Sequence, residues 1–391
     1  MVWYRREART LPWRGSTDPY QIWVSEIMLQ QTRVAAVIEH YNEFLRRFPT
    51  LVSLALAGDA DVLAAWSGLG YYRRARMLHK AAQFIMLERN GQLPAHSAEL
   101  RTLPGIGEYT AAAIASIAFG EGVAVVDGNV ERVILRLLGR TDGATSAGKA
   151  LIREHAQALV PRVEVAPEDG TTGKAPGNWM WNASDRIALA ASAHPTEPVG
   201  GSEARAVPAN NPAGDHNQAM MELGAMVCLP RAPLCAVCPV YEMCRTRGEH
   251  ATPPRDSQRS VPAAYLLDLR KRGTTTEILL SLRDGDASIM PAMFELPGLP
   301  LEAVEGLEPV LRVRHSITNT NYYVQVFAQP NGAGKKTKPE PRSLRNAVPK
   351  NGGEAHWANV LRLPGLPITG LARKILQRLN VMESARMNVL G

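Results

Sequence analysis

Through the first 160 or so residues, apolar positions recur with the 3.6-residue period of helices. Tyr20, Trp23, Val24, Ile27 and Met28 fall on one helix face, and Asp18-Pro19 opens that helix with a cap followed by a proline in the first turn. An alanine-rich helix is predicted from Tyr109 to Phe119, closed by Gly120. A strongly amphipathic one follows, with Val130, Val133, Ile134, Leu137 and Leu138 on its apolar face. Helical pattern breaks at Pro49-Thr50 and at Gly68-Leu-Gly-Tyr-Tyr72, and it vanishes between 163 and 214, where proline, glycine, alanine and small polar residues dominate. That stretch reads as a flexible insertion, with Trp179-Met-Trp181 as its apolar knot. A short helix is predicted from Asn217 to Cys228. After a polar linker the period shifts to two: Ala263–Leu269, Glu277–Leu282 and Tyr322–Phe327 read as strands, and Ile368–Leu379 as a closing helix. The expected organisation is therefore a helical region over 1–162, the insertion over 163–214, a return helix and cysteine loop over 215–249, a linker over 250–261 and an α+β domain over 262–391. The segment 332–350 is a basic loop within the last of these.

Length and composition agree with this. A chain of 391 residues accommodates two or three cores, and 45% hydrophobic with 21% charged residues is the balance of a soluble globular protein. A formal net charge of +7 favours a polyanionic partner without identifying one. No apolar run spans a bilayer and the first residues, Met1-Val-Trp-Tyr-Arg-Arg, lack the core of a secretion signal, so no membrane partner and a cytoplasmic location are expected. All four cysteines lie together as Cys228-x6-Cys235-x2-Cys238-x5-Cys244. That spacing suits four thiolates around zinc or an iron–sulfur centre better than disulfides, and does not choose between the metals.

Three stretches carry candidate chemistry. In Leu103-Pro-Gly-Ile-Gly-Glu-Tyr-Thr110, Gly105 and Gly107 permit a tight turn whose N–H groups open a helix, a site suited to a phosphate. One helix later, Asp127 in Val126-Asp-Gly-Asn-Val130 stands at a helix start, where a negative charge is favoured and where an ordinary cap is the plainer reading. Glu26 lies off its helix's apolar stripe, yet Ile22, Trp23, Leu29 and Gln30 neighbour it. Enclosed there, its carboxyl would keep a proton to higher pH, as a general acid requires; a solvated surface glutamate is the competing reading. In Gly68-Leu-Gly-Tyr-Tyr72, aromatics beside Arg73, Arg74 and Arg76 fit either a loop touching bases and phosphates or a basic helix turn.

In combination these motifs resemble the MutY-type adenine DNA glycosylases of the helix-hairpin-helix superfamily. Leu11-Pro-Trp-Arg14, Asp18 through Thr32, Gly68–Tyr72, Leu103–Thr110 and Val126–Asn129 stand in the family's order, and the likeness resumes from His216 to Cys244. The resemblance implies a mainly α N-terminal region, the helix-hairpin-helix DNA glycosylase fold with an iron–sulfur cluster loop, followed by a MutT/Nudix-like α+β domain. It implies a [4Fe-4S] cluster on Cys228, Cys235, Cys238 and Cys244, and Glu26 and Asp127 as the catalytic pair, with Tyr109 beside them and Asn129 orienting the acids. Tyr109 occupies the place where bifunctional relatives carry a Schiff-base lysine, so a monofunctional enzyme leaving an abasic site is expected. Gln218 corresponds to a residue that reads the flipped adenine, Arg14 and Leu29 line the same pocket, and Gln31 and Tyr71 intrude into the duplex.

The implied partner is double-stranded DNA containing A:8-oxoguanine or A:G mispairs, bound by a monomer. The last domain lacks the glutamate-rich Nudix motif, and where the family has a Phe-Ser-His loop this chain has Ile317-Thr318-Asn319, with Thr318 and Asn319 keeping polar groups and His315 and Ser316 close by. The insertion and the short start of the first helix also depart from the family. Two other readings stand beside the leading one: a catalytically silent iron–sulfur DNA-binding protein, and a same-fold glycosylase of different mismatch preference.

Overall fold

The computed structural model describes residues 1–161, 211–250, 258–285, 287, 290–317, 319–329, 343–349 and 354–382. Helices follow in order as α1 (Val2–Glu7), α2 (Pro19–Leu29), α3 (Val34–Arg47), α4 (Leu51–Ala55), α5 (Asp59–Ala65), α6 (Arg73–Glu88), α7 (Ser97–Leu100), α8 (Glu108–Phe119), α9 (Gly128–Leu138), α10 (Ser146–Leu159), α11 (Pro212–Met226) and, near the end, α12 (Gly370–Arg378). Between α11 and α12 lie β1 (Arg259–Leu267), β2 (Leu269–Arg272), β3 (Thr275–Leu282), β4 (Phe294–Glu295), β5 (Gly298–Leu299), β6 (Leu311–Ile317), β7 (Thr320–Ala328) and β8 (Glu354–Asn359). Two compact units result. The first comprises Met1–Gln31, Thr50–Ala55 and Lys80–Thr252, the second Thr32–Pro49, Leu56–His79 and Pro253–Gly391.

In the first unit the helix ends are those their capping residues dictate. The Asp18 side chain accepts from the Tyr20 N–H, and α8 ends on Gly120 in the left-handed conformation. The expectation of a single apolar face on α2 is too narrow: every residue from Ile22 to Met28 is buried, Ser25 and Glu26 included. One of its neighbours is α8, itself buried from Thr110 to Ala118, whose alanines let the two backbones approach. The return helix begins at Pro212, five residues before the periodic pattern, because Asn211 caps it through the Gly214 N–H and proline occupies its first turn.

Among the described residues the second unit carries two four-stranded sheets. One runs β5-β1-β7-β6, with β1 parallel to β7 and the other pairs antiparallel; in the second, β3 pairs antiparallel with β2, β4 and β8. β1 starts at Arg259, inside the expected linker, because its pairing with β7 already begins at Arg259 opposite Thr320. Leu267, Ile278, Leu280, Val324 and Val326 share a core with Leu371, Ile375 and Leu376 of α12. The α+β character read from the shift in period is what this half of the chain shows. Residues 163–210, including Trp179 and Trp181, and most of 332–350 lie outside the described residues.

Candidate active site

Helices α2, α8, α9 and α11 bring the sequence's candidate acids to one place in the first unit. Glu26 is 5% exposed. The Tyr109 hydroxyl, from the first turn of α8, donates to Glu26 Oε2 at 2.6 Å and also meets Met221 Sδ at 3.5 Å. Burial pushes the Glu26 carboxyl up to about 7; the Tyr109 hydrogen bond opposes this and the nearby negative charge of Asp127 adds to it. The surface-glutamate reading is thereby overturned: this carboxyl holds its proton near neutrality. Burial, followed by the charge of Glu26, likewise drives the Tyr109 phenol well above its ordinary value, so its hydroxyl stays a donor.

Asp127 sits where its motif placed it, as the cap of α9. Oδ1 accepts from the Asn129 and Val130 N–H groups at 2.9 and 2.7 Å, and Oδ2 from Asn129 Nδ2 at 2.8 Å. Three donors fix the plane of the carboxylate and set its charge at a helix N-terminus. Asn129 is itself held from behind. Its Oδ1 accepts from Arg132 at 2.8 Å, and the same guanidinium donates to the Gly224 carbonyl at 2.7 Å and the Cys228 carbonyl at 2.7 Å. A continuous run of hydrogen bonds therefore joins Asp127 to the cysteine loop. Sequence reasoning passed over Arg132; its place three residues after Asn129, on the same helix face, was the available signal.

On α11, Gln218 accepts a long hydrogen bond from Tyr4 Oη at 3.3 Å. One turn further, Glu222 is buried and was not singled out from the sequence. It binds Arg9 through Nε at 2.8 Å and Nη2 at 2.7 Å, and Arg14 through Nη2 at 2.6 Å; the guanidinium of Arg14 also lies 5.5 Å from the Tyr4 ring centre. Burial alone would raise this carboxyl, but the hydrogen bonds from Arg9 and Arg14 outweigh it and hold it at about 2. The Leu11-Pro-Trp-Arg14 motif is thus clamped to the helix that carries Gln218. Leu29, at the end of α2, is half-buried.

The four cysteines form no disulfide and line one pocket together with Val133, Leu137, Leu223 and Val227. Arg136 donates to Cys228 Sγ at 3.3 Å and the Arg247 N–H to Cys244 Sγ at 3.4 Å. Donors aimed at sulfur, inside an apolar wall, suit thiolate ligands of a metal centre. Among the described residues no group of three or more His, Cys, Asp or Glu side chains converges on a single ion.

The remaining candidates stand elsewhere. Gly105 adopts φ +75°, the left-handed turn its position demands, and Gly107 caps α8. Gln31 and Tyr71 both have positive φ, 56° and 48°, and both are exposed, a backbone that ordinary residues adopt rarely and at a cost. Asn319 is exposed in the turn between β6 and β7, where its carbonyl accepts from the Arg259 N–H at 2.9 Å; Thr318 lies outside the described residues. No helix among the described residues is long and apolar enough to cross a membrane.

Residues 24–162 match the HhH-GPD superfamily of base excision DNA repair proteins. The adenine DNA glycosylase of Mycobacterium tuberculosis is 37% identical over 285 residues, 71% of this chain and 76% of that protein. The adenine DNA glycosylase of Homo sapiens is 38% identical over 256 residues, 63% of this chain and 38% of that protein, and that of Buchnera aphidicola is 32% identical over 245 residues, 62% and 56%. The matched region thus spans about two fifths of the length of the mammalian relatives.

Proposed function

The chain belongs to the family of adenine DNA glycosylases, and we propose that it hydrolyses the N-glycosidic bond of an adenine mispaired with 8-oxoguanine or guanine in duplex DNA, leaving an abasic site. The observation that carries this reading is the environment of Glu26: a buried carboxyl that keeps its proton to about pH 7, 2.6 Å from Tyr109 and within electrostatic reach of Asp127.

Adenine is a poor leaving group as an anion. Glu26 gives its proton to a ring nitrogen of the flipped base, so that the departing base is neutral, while the pair of electrons of the glycosidic bond leaves with it. The sugar then carries oxocarbenium-like positive charge, and the Asp127 carboxylate, pinned by Asn129 and Val130, is the group that stabilises it. Water then forms the new C–O bond at the sugar's anomeric carbon, and the proton it releases returns to the Glu26 carboxylate, restoring the acid. Tyr109 offers no amine, so no Schiff base forms and the strand stays intact. Gln218, with its amide oxygen engaged by Tyr4, presents polar atoms to the base. In the second unit, the β6–β7 turn carrying Asn319 reads the base opposite the adenine.

The four thiols would hold a [4Fe-4S] cluster, which when bound would supply the metal–thiolate bonds that tie the loop from Cys228 to Cys244 together. Arg136 and the Arg247 N–H hold two of the sulfurs, and Arg132 links that loop to Asn129.

Single-turnover excision tests the proposal, on duplexes with adenine opposite 8-oxoguanine, guanine or thymine, developed with alkali. Loss of adenine opposite 8-oxoguanine or guanine, with breaks only after alkali and none with Glu26→Gln, is the expected outcome. Failure on every duplex by a chain that has its full iron content overturns it.

A further inference from the structure

The loop Gly68–Tyr72 is held at both ends by one backbone carbonyl that lies about 300 residues away in the chain. Ser67, 5% exposed, donates from Oγ to the Ile368 carbonyl at 2.8 Å, and Tyr72, 2% exposed, donates from its hydroxyl to the same oxygen at 3.1 Å. Arg373, in the first turn of α12, donates from Nε to Ser67 Oγ at 2.9 Å. Ile368 is itself fixed, fully buried and bridged to Phe294, directly before Thr369, which caps α12. From the other side, His40 Nε2 hydrogen-bonds the Ser67 carbonyl at 3.1 Å, and Gly68, at φ +112°, has no room for a Cβ, which would stand 2.8 Å from that ring nitrogen. All these groups belong to the second unit.

Between the two tethered ends stands Tyr71, with φ +48°, 45% exposed, and the Arg74 guanidinium 5.6 Å from its ring. A non-glycine residue keeps such a backbone only where its surroundings over-determine it. Trp66 Nε1 and Arg74 hold the Gly70 carbonyl from within the loop's own neighbourhood, at 3.2 Å each, and the carbonyl and the guanidinium at the loop's two ends are supplied by the C-terminal part of the chain. Apolar packing alone would attach that part equally well; buried polar groups converging on the loop's two ends specify the loop's geometry.

We infer that the junction of Ser67, Tyr72, Ile368 and Arg373 positions Tyr71 for its contact with duplex DNA, making Arg373 and Ser67 positioning residues for a reaction whose chemistry lies in the other unit. This deepens the proposed function and rests on it for the identity of the duplex. It follows that the C-terminal region contributes to DNA engagement through the Tyr71 loop as well as through its own β6–β7 turn.

A double-mutant cycle on the full chain tests this, using an adenine:8-oxoguanine duplex and reading both its dissociation constant and single-turnover excision. Arg373→Ala weakens binding roughly three- to tenfold in the native background, the range expected for coupled members of one network, and less than about twofold in a Tyr71→Ala background. Arg373→Lys recovers part of the loss. Hydrogen exchange at the amides of residues 68–74 accelerates in Arg373→Ala, whether or not DNA is present. Equal losses in both backgrounds, or unchanged exchange, overturn the inference; if Arg373→Ala does not fold, Ser67→Ala takes its place in the same cycle. A native chain that binds no duplex refutes the functional reading instead, and exchange then decides by itself whether the junction holds the loop.

Discussion

Replacing Glu26 with Gln separates the two consequences of burying this acid. A Glu26 carboxyl held at about 7 in the folded protein, against 4.5 when free, takes up its proton more readily folded than unfolded. Between those values the native state binds the extra proton, so the contribution of Glu26 to stability is intact below about pH 4.5 and declines as pH rises through about 7. At roughly 1.4 kcal/mol per pH unit the full cost above that range is about 3 to 4 kcal/mol. Glutamine has no proton to lose, and its amide oxygen still accepts from Tyr109, so the variant escapes the decline. Denaturant unfolding of both proteins near pH 5 and near pH 8 reads the difference, because titrating groups that do not interact with Glu26 cancel in the comparison. The stability of Glu26→Gln relative to wild type should rise by about 2 to 3 kcal/mol between the two pH values, while single-turnover excision is lost. Wild-type excision itself should fall as pH rises through about 7, as the acid loses its proton. Parallel stability curves, or a variant that still excises adenine, would refute the assignment of Glu26 as a buried proton donor.

Asp127→Asn retains a capping side chain for α9 but removes the charge, so helix content should persist by circular dichroism while excision falls by roughly 10²- to 10³-fold. Tyr109→Phe deletes the hydrogen bond that holds the Glu26 carboxyl down, and the alkaline limb of the excision profile should move to higher pH. Glu222→Ala strands Arg9 and Arg14 beside a buried cavity and should destabilise the protein by about 3 kcal/mol in urea unfolding at neutral pH. With the folded carboxyl at about 2, that contribution is present above about pH 4.5 and is lost as pH falls through about 2. Cys238→Ser should lower bound iron per chain, measured by elemental analysis; stoichiometric zinc without iron in the native protein would contradict the cluster.

What the sequence displayed and what it concealed follow one division. Caps and glycine turns act over three or four residues, so Asp18, Asp127, Gly105 and Gly120 announced their roles directly. The burial of Glu26 depends on α8, more than eighty residues away, and only a motif as specific as the one around it pointed there. Glu222 was missed because its partners, Arg9 and Arg14, lie over two hundred residues upstream, and an isolated glutamate on a helix carries no local mark of a buried ion pair. The Ser67–Arg373 contact joins residues 306 apart and was invisible for the same reason.

Glu26 and Asp127 are chemically equivalent groups, and their division of labour is set by where the backbone amides are. Glu26 stands mid-helix on α2, where every N–H is already committed to the helix ladder; the Tyr109 hydroxyl donates to it from α8, and burial favours the neutral acid. Asp127 stands one residue before α9, where the first-turn N–H groups have no partner in the helix, and takes two of them. In the proposed mechanism a helix interior supplies the proton donor and a helix start supplies the anion, so the pair of roles needs no residue type beyond carboxylate. The same logic explains why Asn129, backed by Arg132, is built onto Asp127 and not onto Glu26: an ionised carboxylate taken out of bulk water needs donors in place of the lost solvation, and a neutral acid does not.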